Sequence, residues 1–336
     1  MRESRAEKWE INRKEIILET EIRTRIRANI EKCLEFERKF MEANGDIKEA
    51  YQNTILDDYF SLLSEIENGY SAKDFGICVE QNVEEIKRYY MIYFMLDERI
   101  YKQLNEEIES TQGWRAEARI RLYMMYLKDF REVLFLLSNG FSDCAVARLR
   151  TLYELGVYIS IINDNTDELS ERFCKYCNVQ SLKMAETFAT EDRIKAMSEN
   201  VQSFGYEKGY SKENGWARIL FPNIKDKGKV SFFNLAELTE YKQYYQMYKV
   251  SCNFVHGSLF SSLESLDSAK EQRHMNFWNT SPSNEGVNEV IHFIKLYLIL
   301  FITEYIHSED QKVIFENMLA LLCAGKDVLN EDVEYK

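Results

Sequence analysis

Apolar residues recur along much of this chain at intervals of three and four residues, the spacing of one face of an α-helix. The pattern runs through residues 119–137 and resumes at about 144–162. Further helices are predicted at about 7–43, 47–67, 79–109, 168–188, 241–262, 285–306 and 309–323. The pattern therefore predicts an all-α fold.

Few turn-forming residues interrupt these segments. The 336 residues include only two prolines and thirteen glycines, the residues that most often break helices. Ser138-Asn139-Gly140 separates two of the clearest helices by a short connection, so these two should pack antiparallel. We predict an antiparallel helical bundle with additional N-terminal helices: residues 1–112 form an N-terminal helical region, and residues 113–336 form the core bundle.

One segment, residues 203–231, departs from the helical pattern. It contains Gly205, Gly209, Gly215, Pro222 and Gly228. It is predicted to be a long loop around Trp216, of a length typical of functional lids or disordered segments.

The formal net charge of −13 disfavours non-specific binding to nucleic acid but leaves room for a local basic groove. Seven scattered cysteines favour a reducing compartment over a disulfide framework. The first residues lack the apolar run of a signal peptide, and no apolar run reaches the roughly 18 residues of a membrane span. We therefore expect a cytoplasmic protein with no membrane association.

Ionisable residues interrupt the apolar helix at about 144–162. Arg150 and Glu154 are four residues apart and share a helix face, whereas Arg148 points elsewhere. A buried pair needs partners. Two interpretations remain open: an ion pair that fixes helix register, or a guanidinium that binds a phosphate or carboxylate.

A second polar group lies at the end of the helix that begins near residue 241. Tyr248 and Ser251 precede Asn253 and His256. Asn253 and His256 share a face, so the amide could orient the imidazole, which could then act as a general base. The alternative is a histidine that is simply hydrogen-bonded in the core.

Other chemistry is not indicated. Cys174 and Cys177 form a Cys-x-x-Cys pair without a second pair at metal-ligand spacing, so both are predicted to be buried thiols. The sequence has no glycine-rich phosphate loop, metalloprotease motif or serine-hydrolase motif. We predict no metal and no cofactor.

The order of these motifs resembles a mostly bacterial helical family known as a domain of unknown function. The shared features are the Arg150-to-Glu154 helix, a loop with Trp216, and a later helix with Tyr248, Ser251 and the His256-Gly257-Ser258 ending. The resemblance covers roughly residues 119–305. It leaves out the N-terminal helices and implies no established activity.

The hairpin and the late Asn-x-x-His also resemble the HEPN superfamily (higher eukaryotes and prokaryotes nucleotide-binding domains). That resemblance implies a dimeric, metal-independent ribonuclease of a toxin or phage-defence system. The motif of that superfamily is Arg-Asn/His/Asp-x-x-x-His, with the arginine five residues before the histidine. Five residues before His256 this chain has Ser251, and Asn253 stands three rather than four residues before His256. The cation would then come from Arg148 or Arg150.

Three functions follow from these residues. His256 could act on an RNA ribose with Arg150 stabilising the phosphate charge. The same residues could instead bind a protein partner or a small ligand without catalysis. Finally, Arg150, Glu154 and His256 could simply hold the core together. The expected partners are RNA or a protein, with a homodimer as an open alternative.

Overall fold

The computed structural model describes residues 71–110, 113–224, 228–255 and 286–305, together with Thr20, Glu21, Thr24 and Ala28. Of these described residues 80% are helical and none forms a strand, which confirms the all-α fold. The α-helices are α1 (Val83–Ser110), α2 (Trp114–Ser138), α3 (Ser142–Asp164), α4 (Asp167–Phe188), α5 (Glu191–Ser203), α6 (Phe232–Ala236), α7 (Tyr245–Val255) and α8 (Val287–Tyr305). Short 3-10 helices span Ala72–Phe75, Gly215–Leu220 and Glu240–Tyr244.

The turn between α2 and α3 forms at the predicted Ser-Asn-Gly. Gly140 has a φ of +75°, a left-handed conformation that glycine adopts without strain. Its N–H donates to the Leu137 carbonyl, and the Phe141 N–H donates to the Leu136 carbonyl. This is the Schellman pattern, which satisfies the last carbonyls of α2 and ends the helix.

The helix α5 was not predicted. It is polar and its described residues include none that are buried, so it lacks the apolar stripe from which helices are recognised in a sequence. The segment that follows is also more regular than a loop, because Gly215–Leu220 forms a 3-10 helix.

The chain divides into two compact units. Among the described residues, unit 1 contains 71–102, 127–152, 250–255 and 286–305. Unit 2 contains 103–110, 113–126, 153–224 and 228–249. The predicted boundary at residues 112 and 113 stays a prediction, because most of residues 1–70 lie outside the described part.

In unit 1, α1 is tied to α8 by polar contacts beside a shared apolar core. The Tyr89 hydroxyl donates to the Ile291 carbonyl at 3.3 Å, and the Asn82 amide donates to the Asn288 side chain at 2.6 Å. Fully buried apolar residues fill the space between the helices. They include Ile86, Leu96, Phe130, Val133, Leu134, Leu137, Leu149, Val290 and Phe301.

In unit 2, α4 begins after a cap and packs against the Gly215–Leu220 helix. The Thr166 side chain accepts a hydrogen bond from the Leu169 N–H and so satisfies one free amide of the first turn. The core of this unit is unusually aromatic, and its aromatic residues carry the contacts described next.

Candidate functional site

The two motif-bearing helices α3 and α7 touch within unit 2. The Tyr248 hydroxyl donates a hydrogen bond to Glu154 Oε1 at 2.9 Å. Tyr248 is 7% exposed, and Glu154 is half-buried. A charge-assisted bond of this kind is stronger than a neutral one, so it fixes the carboxylate at a defined place on α3.

Aromatic rings surround this hydrogen bond. The Tyr153 ring stacks on Tyr248 with the centroids 5.1 Å apart, and Phe232 lies 4.9 Å from Tyr248. The Tyr153 hydroxyl donates to the Tyr241 carbonyl at 2.7 Å, and burial raises the pKa of that hydroxyl. Tyr153 is therefore a neutral hydrogen-bond donor to that carbonyl.

Close approach at this point of α3 depends on Gly156. A Cβ placed there would lie 2.5 Å from the Tyr241 ring, a distance that real Cβ contacts do not show. The glycine thus allows Tyr241 to lie directly on the helix, and the carbonyl of Tyr241 comes within reach of Tyr153.

Trp216 belongs to the same aromatic core. It is 2% exposed and lies 4.9 Å from Phe173 and 5.6 Å from Tyr158, both edge to face. A ring buried to this degree contributes mainly through the hydrophobic effect and through favourable edge contacts. The described part of the segment that was predicted to be a loop therefore packs into the core of unit 2 around Trp216.

The two arginines of α3 differ in surroundings. Arg148 makes an ion pair with Glu132, and both side chains are partly exposed. Arg150 is half-buried, one helical turn before Glu154. The two guanidinium groups of α3 therefore lie in different environments, one in a partly exposed ion pair and the other half-buried.

The polar residues of α7 lie on different faces. Ser251 is fully buried, whereas Asn253 is exposed. The sequence placed both residues in one polar group, but on the helix Ser251 faces the core and Asn253 faces solvent. His256, Gly257 and Ser258 lie outside the described residues, so the predicted pairing of Asn253 with His256 stays a prediction.

The sequence did not reveal one buried charged residue of unit 2, Arg172, that makes several contacts. Arg172 is 3% exposed. Its Nη1 and Nη2 donate to the two oxygens of Glu207 at 3.1 and 2.5 Å, and its Nε donates to the Trp216 carbonyl at 3.0 Å. The Tyr206 and Tyr210 rings lie 4.6 and 5.2 Å from its Cζ.

One signal in the sequence could have revealed Arg172. It stands three residues after Leu169 and four before Tyr176, both buried, so it occupies a core-facing position of α4. An arginine at such a position has to find internal partners.

The surroundings of this ion pair, in which Arg172 is buried and Glu207 is partly exposed, change the pKa of Glu207. Desolvation raises the pKa of its carboxyl, but the hydrogen bonds from Arg172 and the nearby positive charges of Arg172 and Arg218 outweigh it. The net result is a pKa below the usual value. Glu207 is therefore ionised at neutral pH and forms an ion pair with the guanidinium.

The Cys-x-x-Cys pair is split between environments. Cys174 is buried, and burial raises the pKa of its thiol to about 12. Cys177 is exposed, so the prediction of two buried thiols was wrong for this residue. In the described ranges no cluster of three or more His, Cys, Asp or Glu side chains has the arrangement of a metal site.

Residues 116–274 match the model of a family of unknown function, DUF5677. The predicted resemblance to such a family is thereby confirmed, over a span that ends at residue 274 rather than near 305. No curated protein and no solved structure shows a significant match to the chain. The HEPN resemblance stays a prediction.

Among the helices that the structure describes, none is both long enough and apolar enough to cross a bilayer.

Proposed function

We propose that this chain is a HEPN-like effector that cleaves RNA without a metal ion. It would act in the cytoplasm, in a toxin or phage-defence role, as a homodimer. The observation that supports this is the hydrogen bond from Tyr248 to Glu154. It joins α3, which carries Arg150, to α7, which carries Asn253 and is followed in the sequence by His256.

In the proposed reaction, His256 takes the proton from a ribose 2′-hydroxyl, and the 2′-oxygen attacks the neighbouring phosphorus. The bond to the 5′-oxygen of the next nucleotide breaks, and that oxygen takes a proton from solvent. Arg150 stabilises the extra negative charge on the phosphorus-bound oxygens. Asn253 orients the imidazole, while Glu154 of α3, which accepts a hydrogen bond from Tyr248 of α7, positions Arg150.

The test is incubation of the purified chain with single-stranded RNA in excess chelator. We expect cleavage products with 2′,3′-cyclic phosphate ends, identified by mass spectrometry. His256→Ala should abolish cleavage with an unchanged circular dichroism spectrum, and Arg150→Ala should lose activity as well. The matched control is His292→Ala, because His292 is an exposed histidine of α8 that has no role in the proposal.

Cleavage that survives in His256→Ala, or a folded wild-type chain that leaves varied RNAs intact, would overturn this proposal. The second candidate is a non-enzymatic module that binds a protein partner or a small ligand. It is favoured by the burial of Tyr248 and Ser251, since both side chains are engaged inside the protein rather than presented to a substrate.

A further inference from the structure

One face of α7 is at least partly exposed to solvent and carries a tyrosine, a lysine and an asparagine. Tyr245 is half-exposed, and Lys249 and Asn253 are exposed. They follow one another at four-residue intervals, so they share a stripe of the helix. Ser251 projects from the opposite side and is fully buried, while Tyr248 lies beside the stripe, buried, with its ring centroid 5.4 Å from that of Tyr245.

Phe233 of α6 contacts Tyr245, the first residue of this stripe. The Phe233 ring is 43% exposed and lies 4.9 Å from the Tyr245 ring in an edge-to-face arrangement. Lys249 Nζ lies 5.5 Å from the centroid of the Tyr245 ring. An exposed phenylalanine, a tyrosine and a lysine therefore form one contiguous surface of unit 2, called the aromatic–lysine surface below.

This combination suits an unstacked nucleotide. Single-stranded nucleic acids bind where bases stack on aromatic rings and a nearby cation meets the backbone phosphate. An apolar protein partner would not require the lysine, and a duplex could not offer its base faces to the rings. The chain carries a net charge of −13, so a phosphate needs a local cation, and Lys249 supplies one.

We propose that the aromatic–lysine surface binds single-stranded RNA, with a base stacked against Phe233 and Tyr245 and a phosphate paired with Lys249. The choice of RNA rests on the proposed function, because α7 also carries Asn253 and is followed in the sequence by His256. The surface would hold a nucleotide that flanks the one undergoing cleavage.

The experiment measures binding of a labelled oligouridine by fluorescence anisotropy in chelator, using His256→Ala so that the RNA stays intact. The probe has about 12 nucleotides, within the roughly 4–16 that single-strand sites cover. Phe233→Leu and Tyr245→Leu should each raise the Kd roughly 10-fold, because the ring is lost and apolar bulk is kept. Phe188→Leu is the control, since Phe188 is 86% exposed at the end of α4.

Lys249→Gln adds an independent readout. Loss of one phosphate contact should reduce the slope of log Kd against log salt concentration by about 0.7. Lys183→Gln, at another exposed lysine of unit 2, should leave that slope unchanged.

Failure of the surface and failure of the nuclease can be told apart. Binding that depends on Tyr245 without any cleavage by the wild-type chain overturns the nuclease and keeps the surface. Cleavage with full activity in Tyr245→Leu and Phe233→Leu overturns the surface alone. Absence of binding, or equal affinity for single-stranded and duplex RNA, also overturns the surface.

Discussion

Two cations of unit 2 lie against tyrosine rings, and their surroundings give them different roles. Arg172 lies 4.6 Å from the Tyr206 ring and is almost fully buried, while Lys249 lies 5.5 Å from the Tyr245 ring and is exposed. All three guanidinium nitrogens of Arg172 donate to protein acceptors. A cation that is satisfied in this way holds structure together, whereas an exposed one remains available to a ligand.

The carboxylates of Glu207 and Glu154 likewise differ in the kind of partner that holds them. Glu207 is held by both ends of a guanidinium fork, which ties residues 206–216 to α4. Glu154 accepts from a tyrosine hydroxyl, a weaker partner that orients the carboxylate without neutralising it.

The largest effect is expected for Arg172→Met. It leaves the buried carbonyls of Trp216 and Gly215, as well as the partly exposed Glu207 carboxylate, without this donor. We expect a loss in the free energy of unfolding of about 1–3 kcal/mol for each buried carbonyl, measured by urea denaturation. Arg121→Met is the matched control, because the Arg121–Glu117 pair is exposed and should contribute no more than about 1 kcal/mol. Lys249→Gln should stay within about 0.5 kcal/mol of wild type.

Equal losses in Arg172→Met and Arg121→Met would contradict the structural role of the buried arginine. A large loss in Lys249→Gln would instead mean that this lysine holds the fold, and the contrast with Arg172 would disappear.

An intermediate effect is expected at the contact between α3 and α7. Glu154→Ala and Tyr248→Phe should each lower the free energy of unfolding by about 1–3 kcal/mol, since each removes one partner of a part-buried, charge-assisted hydrogen bond. The double variant should lose less than the sum of the two, which measures their coupling. Glu154→Gln keeps an acceptor oxygen and should lose less than Glu154→Ala. Additive losses would show that the bond contributes nothing.

The helices of this chain could largely be predicted from sequence because periodic apolar stripes and a Gly140 stop mark them directly. The predicted segments at 119–137 and 144–162 correspond to α2 and α3, each shorter than the observed helix by one to five residues at an end. The polar α5 escaped prediction because a helix without buried residues has no stripe to detect.

The contacts of the candidate site were only partly foreseen. Glu154 and Tyr248 were both singled out, but their hydrogen bond joins residues 94 positions apart, and no local pattern encodes such a pairing. Arg172 was overlooked because its partners come from residues 207–216, a segment that was predicted to be a loop. Long-range polar pairing is set by tertiary packing rather than by local periodicity.

The smallest expected effect is a pH dependence at Glu207. Its folded-state pKa is lowered, so its charge stabilises the protein fully above the unfolded pKa of about 4.3, and this contribution is lost as the pH falls through the folded value. Glu207→Gln should therefore be less stable than wild type near neutral pH, and the difference should shrink as the pH falls below about 4. Urea denaturation of both proteins over a pH series measures this difference and cancels the titration of the other carboxylates. A difference that stays constant down to the lowest pH would mean that the charge of Glu207 does not stabilise Arg172, and that its hydrogen-bond geometry alone does.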